Sequence, residues 1–417
     1  MKKLLSLFLT LAMFASLVGC GSSTPASSST PSSVASSEST SAQSPSSSNS
    51  VGDELAPLRI GNMQDLSGQG SVMGKALANG CQLAIDNINA AGGIDGRMIE
   101  MILYDVKITD PQEAINATKR LIDVDGVQVV IGSQSSNAGL ALAPLSDELG
   151  VAQISVWGDP RIEINEDGSL NKYMFAAQPT APQTGVLMGS YMYEKLGAKK
   201  FGVLLAQDNS YQVAQTDGLR EYVDSMADKG VEIVAFEYCK QTDTDVKAQV
   251  AKLQASGAEA LFVHGAPAML AVATTQIYQA GMRLPITGSS DFQHPFGELV
   301  EPEVADNIYA FSNVNVDEPR LQDIRKQYVD RFGEEPTAKA YLGYDMVLII
   351  AEAVRQNGGS IDPDDIRDAM ENNIKDLEAC TGSFTMSPEL HAPVGIPLWI
   401  YKIEKGEYIP LEAFVSE

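Results

Sequence analysis

The sequence predicts an α/β protein of two doubly wound parallel-sheet lobes. Three observations predict it. Short β-branched runs alternate with helical stretches along most of the chain. That alternation comes as two successive series. A further strand and two helices follow the second series and must rejoin earlier lobes.

The first series opens with Leu58-Arg59-Ile60-Gly61-Asn62-Met63 as a strand, ending in Asp65-Leu66-Ser67-Gly68. A helix from about Met73 to Ala91 carries Leu77, Cys81, Ala84, Ile85 and Ile88 on one face, and Gly92-Gly93 stops it. Met98 to Tyr104 is a strand. Asp110-Pro111 starts the next helix, with Asp as cap and Pro in the first turn. Val127 to Ile131 is a continuous β-branched run, as in a buried parallel strand, and Gly132 opens the loop after it. Leu140 to Leu149 is helical and Gln153-Ile154-Ser155 is a strand.

The second series begins near Thr180. Helices at Gly185–Leu196, Tyr211–Lys229, Val246–Ser256 and Ala268–Ala280 precede strands at Lys200–Leu205, Val231–Phe236, Ala260–Val263 and Leu284–Thr287. The returning elements are Ile308–Phe311 and helices near Pro319–Phe332 and Leu342–Gln356. Ligands of open α/β sheets sit beyond the carboxyl ends of the strands, so two facing lobes place those ends around one cleft.

Composition agrees with a globular body. The chain is 44% hydrophobic and 20% charged, with a formal net charge of −25. Such acidity argues against nucleic acid, and against anionic lipid held by a basic patch. At the N-terminus, Met1-Lys2-Lys3 is a basic n-region and Leu4 to Val18 an uncharged apolar run. The run suits a secretory h-region better than a membrane span. It ends in Leu17-Val18-Gly19-Cys20, which resembles a bacterial lipobox, where the Cys thiol takes a diacylglyceryl group. Residues 1–19 are therefore expected to be a lipoprotein signal peptide, with Cys20 the lipidation site. Residues 20–56, almost all Ser, Thr, Pro, Ala and Gln at first, are expected to form a disordered tether with a reach of roughly 30–35 Å. No second stretch is apolar enough to span a membrane.

Chemistry is sparse. No GxSxG, HExxH or CxxC occurs, and His264, His294 and His391 are too scattered for a metal cluster. Gly68-Gln69-Gly70-Ser71-Val72-Met73-Gly74-Lys75 has the wrong spacing for a phosphate loop, and Ala76 stands where Ser or Thr is needed. The chain is thus expected to be a binder and not an enzyme, with no cofactor and no metal. Cys81 is read as a small core hydrophobe. Cys239 and Cys380 could pair in an oxidising compartment or remain free.

The run Asp65-Leu66-Ser67-Gly68, Gly74, Gly80 and Ala84-Ile85-Asp86-Asn87-Ile88-Asn89-Ala90-Ala91-Gly92-Gly93-Ile94-Asp95-Gly96-Arg97 is followed in order by further matches. These are Tyr104-Asp105, Asp110-Pro111, Val129-Val130-Ile131-Gly132, Ser135-Ser136, Ser210-Tyr211, Asp243-Thr244-Asp245-Val246, Gly281-Met282 and Tyr341 to Asp345. Together they resemble the leucine/isoleucine/valine-binding proteins, the substrate-binding subunits of branched-chain amino-acid ABC importers. The resemblance covers essentially Pro57 to Glu417. It implies a type I periplasmic-binding-protein fold with crossovers near Gln178-Pro179, Ser312-Asn313 and Ser387–Pro393. Lobe one would be 57–178 plus 313–387, and lobe two 179–312 plus 388–417.

The resemblance also implies a ligand site. Ser136, with Ser135 beside it, falls where the family grips a ligand carboxylate, and small hydroxyl residues at a helix start suit an anion. The alternative is that either serine caps the helix. In Ser155-Val156-Trp157-Gly158-Asp159, Trp157 and Asp159 depart from the family pattern. Asp159 could pair with an ammonium and Trp157 could stack on a ligand; equally, Trp157 could pack a lobe and Asp159 open a turn before Pro160. Tyr211 matches the tyrosine that closes over the ligand from lobe two. The family's acidic residue is expected near Gly288-Ser289-Ser290-Asp291; direct counting lands on Ser290, with Asp291 one residue late. Met73 stands at a pocket-lining position or in the core. The implied partners are a small-molecule ligand (an amino acid or a relative), ABC permease subunits, and the membrane through the lipid anchor, for a monomer. The alternative role is an extracellular sensing module that passes its ligand state to a membrane kinase or chemoreceptor.

Overall fold

The fold is given by a computed structural model that describes residues 55–414. The signal segment, Cys20 and all but the end of the Ser-rich tether lie outside the described residues. Among the described residues no helix is long and apolar enough to cross a membrane.

The first lobe is built from β1 (Leu58–Gln64), α1 (Ser71–Ala90), β2 (Ile99–Asp105), α2 (Pro111–Asp123), β3 (Val129–Ile131), α3 (Ser136–Leu142), α4 (Ser146–Leu149), β4 (Ala152–Ser155) and β5 (Met174–Ala176). Asp110 caps α2 as expected, accepting the Gln112 and Glu113 amides at 3.0 and 3.1 Å. The helix expected over 140–149 is instead broken: a 3-10 turn at Ala143–Leu145 separates α3 from α4. Pro144 has no amide to donate, so the α-helical ladder cannot run through it. The helix also begins earlier than the apolar spacing suggested, which brings Ser136 into its first turn.

All five strands are parallel, in the order β2-β1-β3-β4-β5. The period-2 alternation divides their side chains between two cores. Leu58, Ile60, Val129, Ile131 and Ile154 face α1 and the returning helices, while Met63, Val130 and Met174 face α2 and α3.

The second lobe adds α5 (Ala181–Glu194), β6 (Lys200–Ala206), α6 (Ser210–Ser225), β7 (Glu232–Cys239), α7 (Lys247–Ala255), β8 (Ala260–His264), α8 (Pro267–Gln279), β9 (Ile286–Gly288), α9 (Pro302–Ala305) and β10 (Ile308–Ser312). The chain then supplies α10 (Gln322–Phe332), α11 (Ala338–Gln356) and α12 (Pro363–Asn372), all returning to lobe one. A small antiparallel sheet follows, from β11 (Leu377–Ala379), β12 (Gly382–Met386) and β13 (Pro393–Val394). The hairpin β14 (Leu398–Glu404) and β15 (Glu407–Phe414) completes a seven-stranded sheet in lobe two, ordered β15-β14-β10-β9-β8-β6-β7.

The third crossing falls later than expected. Pro393 and Val394 still pair with β12, and Ile396 is part of the lobe-one core, so the chain enters lobe two only at β14. Cys81, Cys239 and Cys380 are all buried and free. Cys239 packs in lobe two and Cys380 beside Tyr341 at α11, so they do not form a disulfide.

Glycines set how closely the helices approach. A Cβ on Gly80 of α1 would fall on the backbone oxygen of Ala340 in α11, and one on Gly343 would fall on the oxygen of Leu77. The Cys81 thiol lies 3.2 Å from the Gly343 carbonyl at the same contact. This contact fixes α11 to lobe one and so positions its N-terminus beside the cleft.

Candidate functional site

Strand order reverses between β1 and β3 in lobe one and between β6 and β8 in lobe two, so the loops after these strands are where a doubly wound sheet holds a ligand. On the lobe-one side, the loop after β1 hangs on buried Asp65, whose carboxylate accepts the Gly68 and Gly70 amides at 2.5 and 3.0 Å. The Asp65 amide donates to Gln134 Oε1, which ties this loop to the one after β3. Met73, in the first turn of α1, is partly buried and packs on the lobe-one core.

Ser136 is buried, and its Oγ accepts the Gly158 amide at 3.4 Å. Ser135 occupies the N-cap position of α3, yet its hydroxyl donates to the Ile108 carbonyl at 3.3 Å and caps nothing. The capping alternative therefore does not describe Ser135.

Two expected residues drop out of the cleft lining. Trp157 is wholly buried in the lobe-one core, its ring against Gly132 and Gly139 and beside Ile162. Its Nε1 donates to the Ser133 carbonyl at 2.8 Å, so it shapes the Ser133–Ser136 loop from beneath and has no free face to stack on a ligand. Asp159 is also fully buried and fully committed. Its carboxylate accepts the Arg161 amide at 3.1 Å and both Nε and Nη2 of Arg161, at 2.9 and 2.6 Å. A carboxylate already held bidentately is not available to an ammonium.

Lobe two brings Tyr211 to the same place. It sits in the first turn of α6, capped by Asn209, whose Oδ1 accepts the Gln212 amide at 3.3 Å. The Tyr211 ring lies against Gly158, leaving no room for a Cβ there, so Gly158 lies between Ser136 and Tyr211. Burial holds the Tyr211 phenol above its ordinary range, opposed by the side chains of Ser290 and Thr184. A polar network lies beneath. Gln212 donates to Ser289 Oγ at 2.9 Å, Ser289 donates to the Gly265 carbonyl at 2.8 Å, and the His264 ring meets Gln215 at 3.1 Å. Burial pushes His264 down to about 3, so it is a neutral structural group at ordinary pH.

After β9, Ser289 Oγ accepts the Asp291 amide at 3.1 Å and starts a 3-10 turn over Ser290–Phe292. Ser290 acts on the Tyr211 hydroxyl, while Asp291 faces a cation that the sequence reading missed, Lys339 of α11. Burial raises the Asp291 carboxyl to about 6, with Lys339 pulling it back down. Burial lowers the Lys339 ammonium, with Asp291 holding it up. The sequence did carry a signal for Lys339: Pro336-Thr337 is a helix-start pattern, and a lysine in a first turn sits at the unfavourable end of the helix dipole. Among the described residues no cluster of His, Cys, Asp and Glu could hold a metal.

Residues 57–407 match the family described as periplasmic binding protein. An amino acid binding protein of Pseudomonas aeruginosa is 29% identical over 211 residues, 51% of this chain, and the match spans only 54% of that relative. A Leu/Ile/Val-binding protein homolog of Brucella suis is 24% identical over 77% of this chain and 84% of its own. Among solved structures, the branched-chain amino acid transporter substrate binding protein LivJ of Streptococcus pneumoniae, in complex with isoleucine, superposes with a TM-score of 0.75 at 28% identity. That superposition covers 85% of this chain and 99% of that one. A solute binding protein of an ABC transporter from Rhodopseudomonas palustris, in complex with 3,4-dihydroxybenzoic acid, has the same fold, with a TM-score of 0.72 at 22% identity over 86% of this chain and 97% of its own.

Proposed function

This chain belongs to the periplasmic binding protein family, and on that premise we propose that it is the solute receptor of an ABC importer, capturing an amino acid or a close relative between its lobes and delivering it to a membrane permease. Members of this family are binding proteins and not enzymes, and they work outside the cytoplasm. The observation that carries the reading is the meeting of Ser136, Gly158 and Tyr211 where the strand ends of two doubly wound sheets face each other. Ser136 and the adjoining loop would take the carboxylate, Asp291 the ammonium, and Tyr211 would close over both. The ligand then stabilises the closed arrangement through its higher affinity for it. LivJ with isoleucine and the named amino-acid relatives support the amino-acid class. The bound dihydroxybenzoic acid of a neighbour with this fold makes aromatic acids the class to test beside it.

A thermal-shift screen of amino acids and aromatic carboxylates is the test. A true ligand at a hundred times its Kd should stabilise the protein by about 2.7 kcal/mol. Absence of a shift with every amino acid defeats the amino-acid reading.

Lipid anchoring through Cys20 is the second element of the proposal, resting on Leu17-Val18-Gly19-Cys20 and the Ser-rich stretch behind it. Tethering would hold the receptor at high effective concentration near its permease. Cys20→Ser is expected to move the protein from the membrane fraction to the soluble fraction; unchanged fractionation counts against the anchor.

A further inference from the structure

We propose that Gln212 is a specificity-determining residue whose carboxamide oxygen takes a neutral hydrogen-bond donor of the ligand, so that the solute is an amino acid with a neutral N–H or O–H group on its side chain. This rests on the reading of the cleft as an amino-acid site.

Gln212 sits in the first turn of α6, directly after Tyr211, whose ring meets lobe one at Gly158. It is only 1% exposed. Its carboxamide is tied to Ser289, and through it to Gly265, the residues that follow β9 and β8. These strand ends form the lobe-two side of the cleft. Hydrogen bonding fixes which way the carboxamide points. Ser289 Oγ has one proton, and it goes to the Gly265 carbonyl at 2.8 Å. The same oxygen accepts the Asp291 amide at 3.1 Å. The Gln212 atom that meets it at 2.9 Å must therefore be the donor, Nε2. Oε1 is then turned away from Ser289, and among the described residues nothing donates to it. Ser210, whose hydroxyl also lacks a partner, is two residues back on another side of the helix and makes no bond to it.

A second chain of hydrogen bonds, one turn along α6, ends the same way. Thr184 gives its hydroxyl proton to the Ala181 carbonyl at 2.8 Å, so Gln215 meets it with Nε2 at 3.0 Å and turns Oε1 to His264. His264 Nδ1 therefore carries the ring proton, and its Nε2 is a bare acceptor without a partner among the described residues. Lobe two thus holds two buried acceptors that lack donors, both at the end of β8 and the start of α6. A buried acceptor left unpaired weakens binding of whatever covers it. An apolar side chain such as that of leucine leaves Gln212 Oε1 unpaired, whereas a side-chain N–H or O–H satisfies it. The donor is neutral because Ser289, Gly265 and the His264 ring carry no charge. With Asp291 taken by the α-ammonium, a second cation would be buried without a counter-charge.

Calorimetric titration of the purified protein with three pairs of similar shape tests this: asparagine and leucine, glutamine and methionine, threonine and valine. In the pair that contains the tightest ligand, the donor-bearing member should bind at least about 10-fold more tightly, the scale for a buried acceptor left unpaired. Aspartate and glutamate, whose side chains only accept at neutral pH, should bind less tightly than their amides. Gln212→Met keeps the length of the side chain and removes the acceptor. It should bring the ratio to near one or below by weakening the donor-bearing ligand more than its apolar counterpart. Equal losses for both members make Gln212 a structural residue only and overturn the proposal. Wild-type protein that binds the apolar member as tightly or more tightly in all three pairs also overturns it, and leaves the amino-acid receptor standing. Binding of no amino acid removes both. If Gln212→Met fails to fold, the wild-type ratios decide the matter.

Discussion

Replacing Gly80 by alanine is expected to lower the unfolding free energy by roughly 3 kcal/mol, at the upper end of what overpacking costs. The reason is the nature of the obstacle. The new Cβ meets the backbone oxygen of Ala340, so no rotamer change can relieve the overlap and the two helices must separate. Gly343→Ala meets the Leu77 oxygen in the same way and should cost a similar amount. The double variant should cost less than the sum, because one displacement of α11 relieves both overlaps. Urea denaturation measures all three. A loss below about 1 kcal/mol for each single variant would mean that the helices can part cheaply. The same displacement carries the Lys339 end of α11 away from the cleft, so ligand affinity should fall in any Gly80→Ala protein that remains folded.

The series of strands and helices was legible because each element carries its own local signal. Asp110-Pro111 begins α2, Gly92-Gly93 ends α1, and the Val129–Ile131 run is a strand buried on both faces. Elements without such signals were not read. β5 has three residues and follows a long irregular stretch, α12 is short and charged, and β15 is largely exposed. The third crossing was misplaced because Pro393 and Val394 look like a linker and are held in lobe one only by pairing with β12.

At the site, Ser136 and Tyr211 lie on either side of Gly158, whereas direct counting for the acidic residue fell on Ser290, with Asp291 one residue later in the same 3-10 turn. Trp157 and Asp159 misled because unusual residues in a functional loop invite a ligand role, while their true partners are local: the Ser133 carbonyl for one and Arg161 for the other. Asp159-Pro160-Arg161 is, in retrospect, a capping pattern with its own counter-ion two residues away. Lys339 was hidden by the opposite error, since the apolar spacing placed the helix start at Leu342 and left the lysine in a loop.

Affinity for an ammonium-bearing ligand is expected to rise with pH up to about 6 and then level off. Burial raises the Asp291 carboxyl to about 6 from its ordinary 3.8. Between these values the unliganded native state binds more protons than the unfolded chain. The contribution of Asp291 to stability is therefore fully present below 3.8 and is lost as pH rises through about 6. A bound ammonium reverses that preference because it favours the ionised carboxylate. Affinity should accordingly drop about tenfold for each pH unit below 6.

Two other groups near Asp291 do not mimic this profile: burial moves the Tyr211 phenol further above that range, and His264 stays neutral throughout. Asp291→Asn keeps the shape and removes the charge. It should weaken binding at pH 8 by roughly 30-fold or more and flatten the pH profile. Titrations from pH 5 to 8 separate the possibilities. A wild-type profile that is already flat would mean that the ammonium is held elsewhere in the cleft, and that Asp291 serves only as the counter-charge of Lys339.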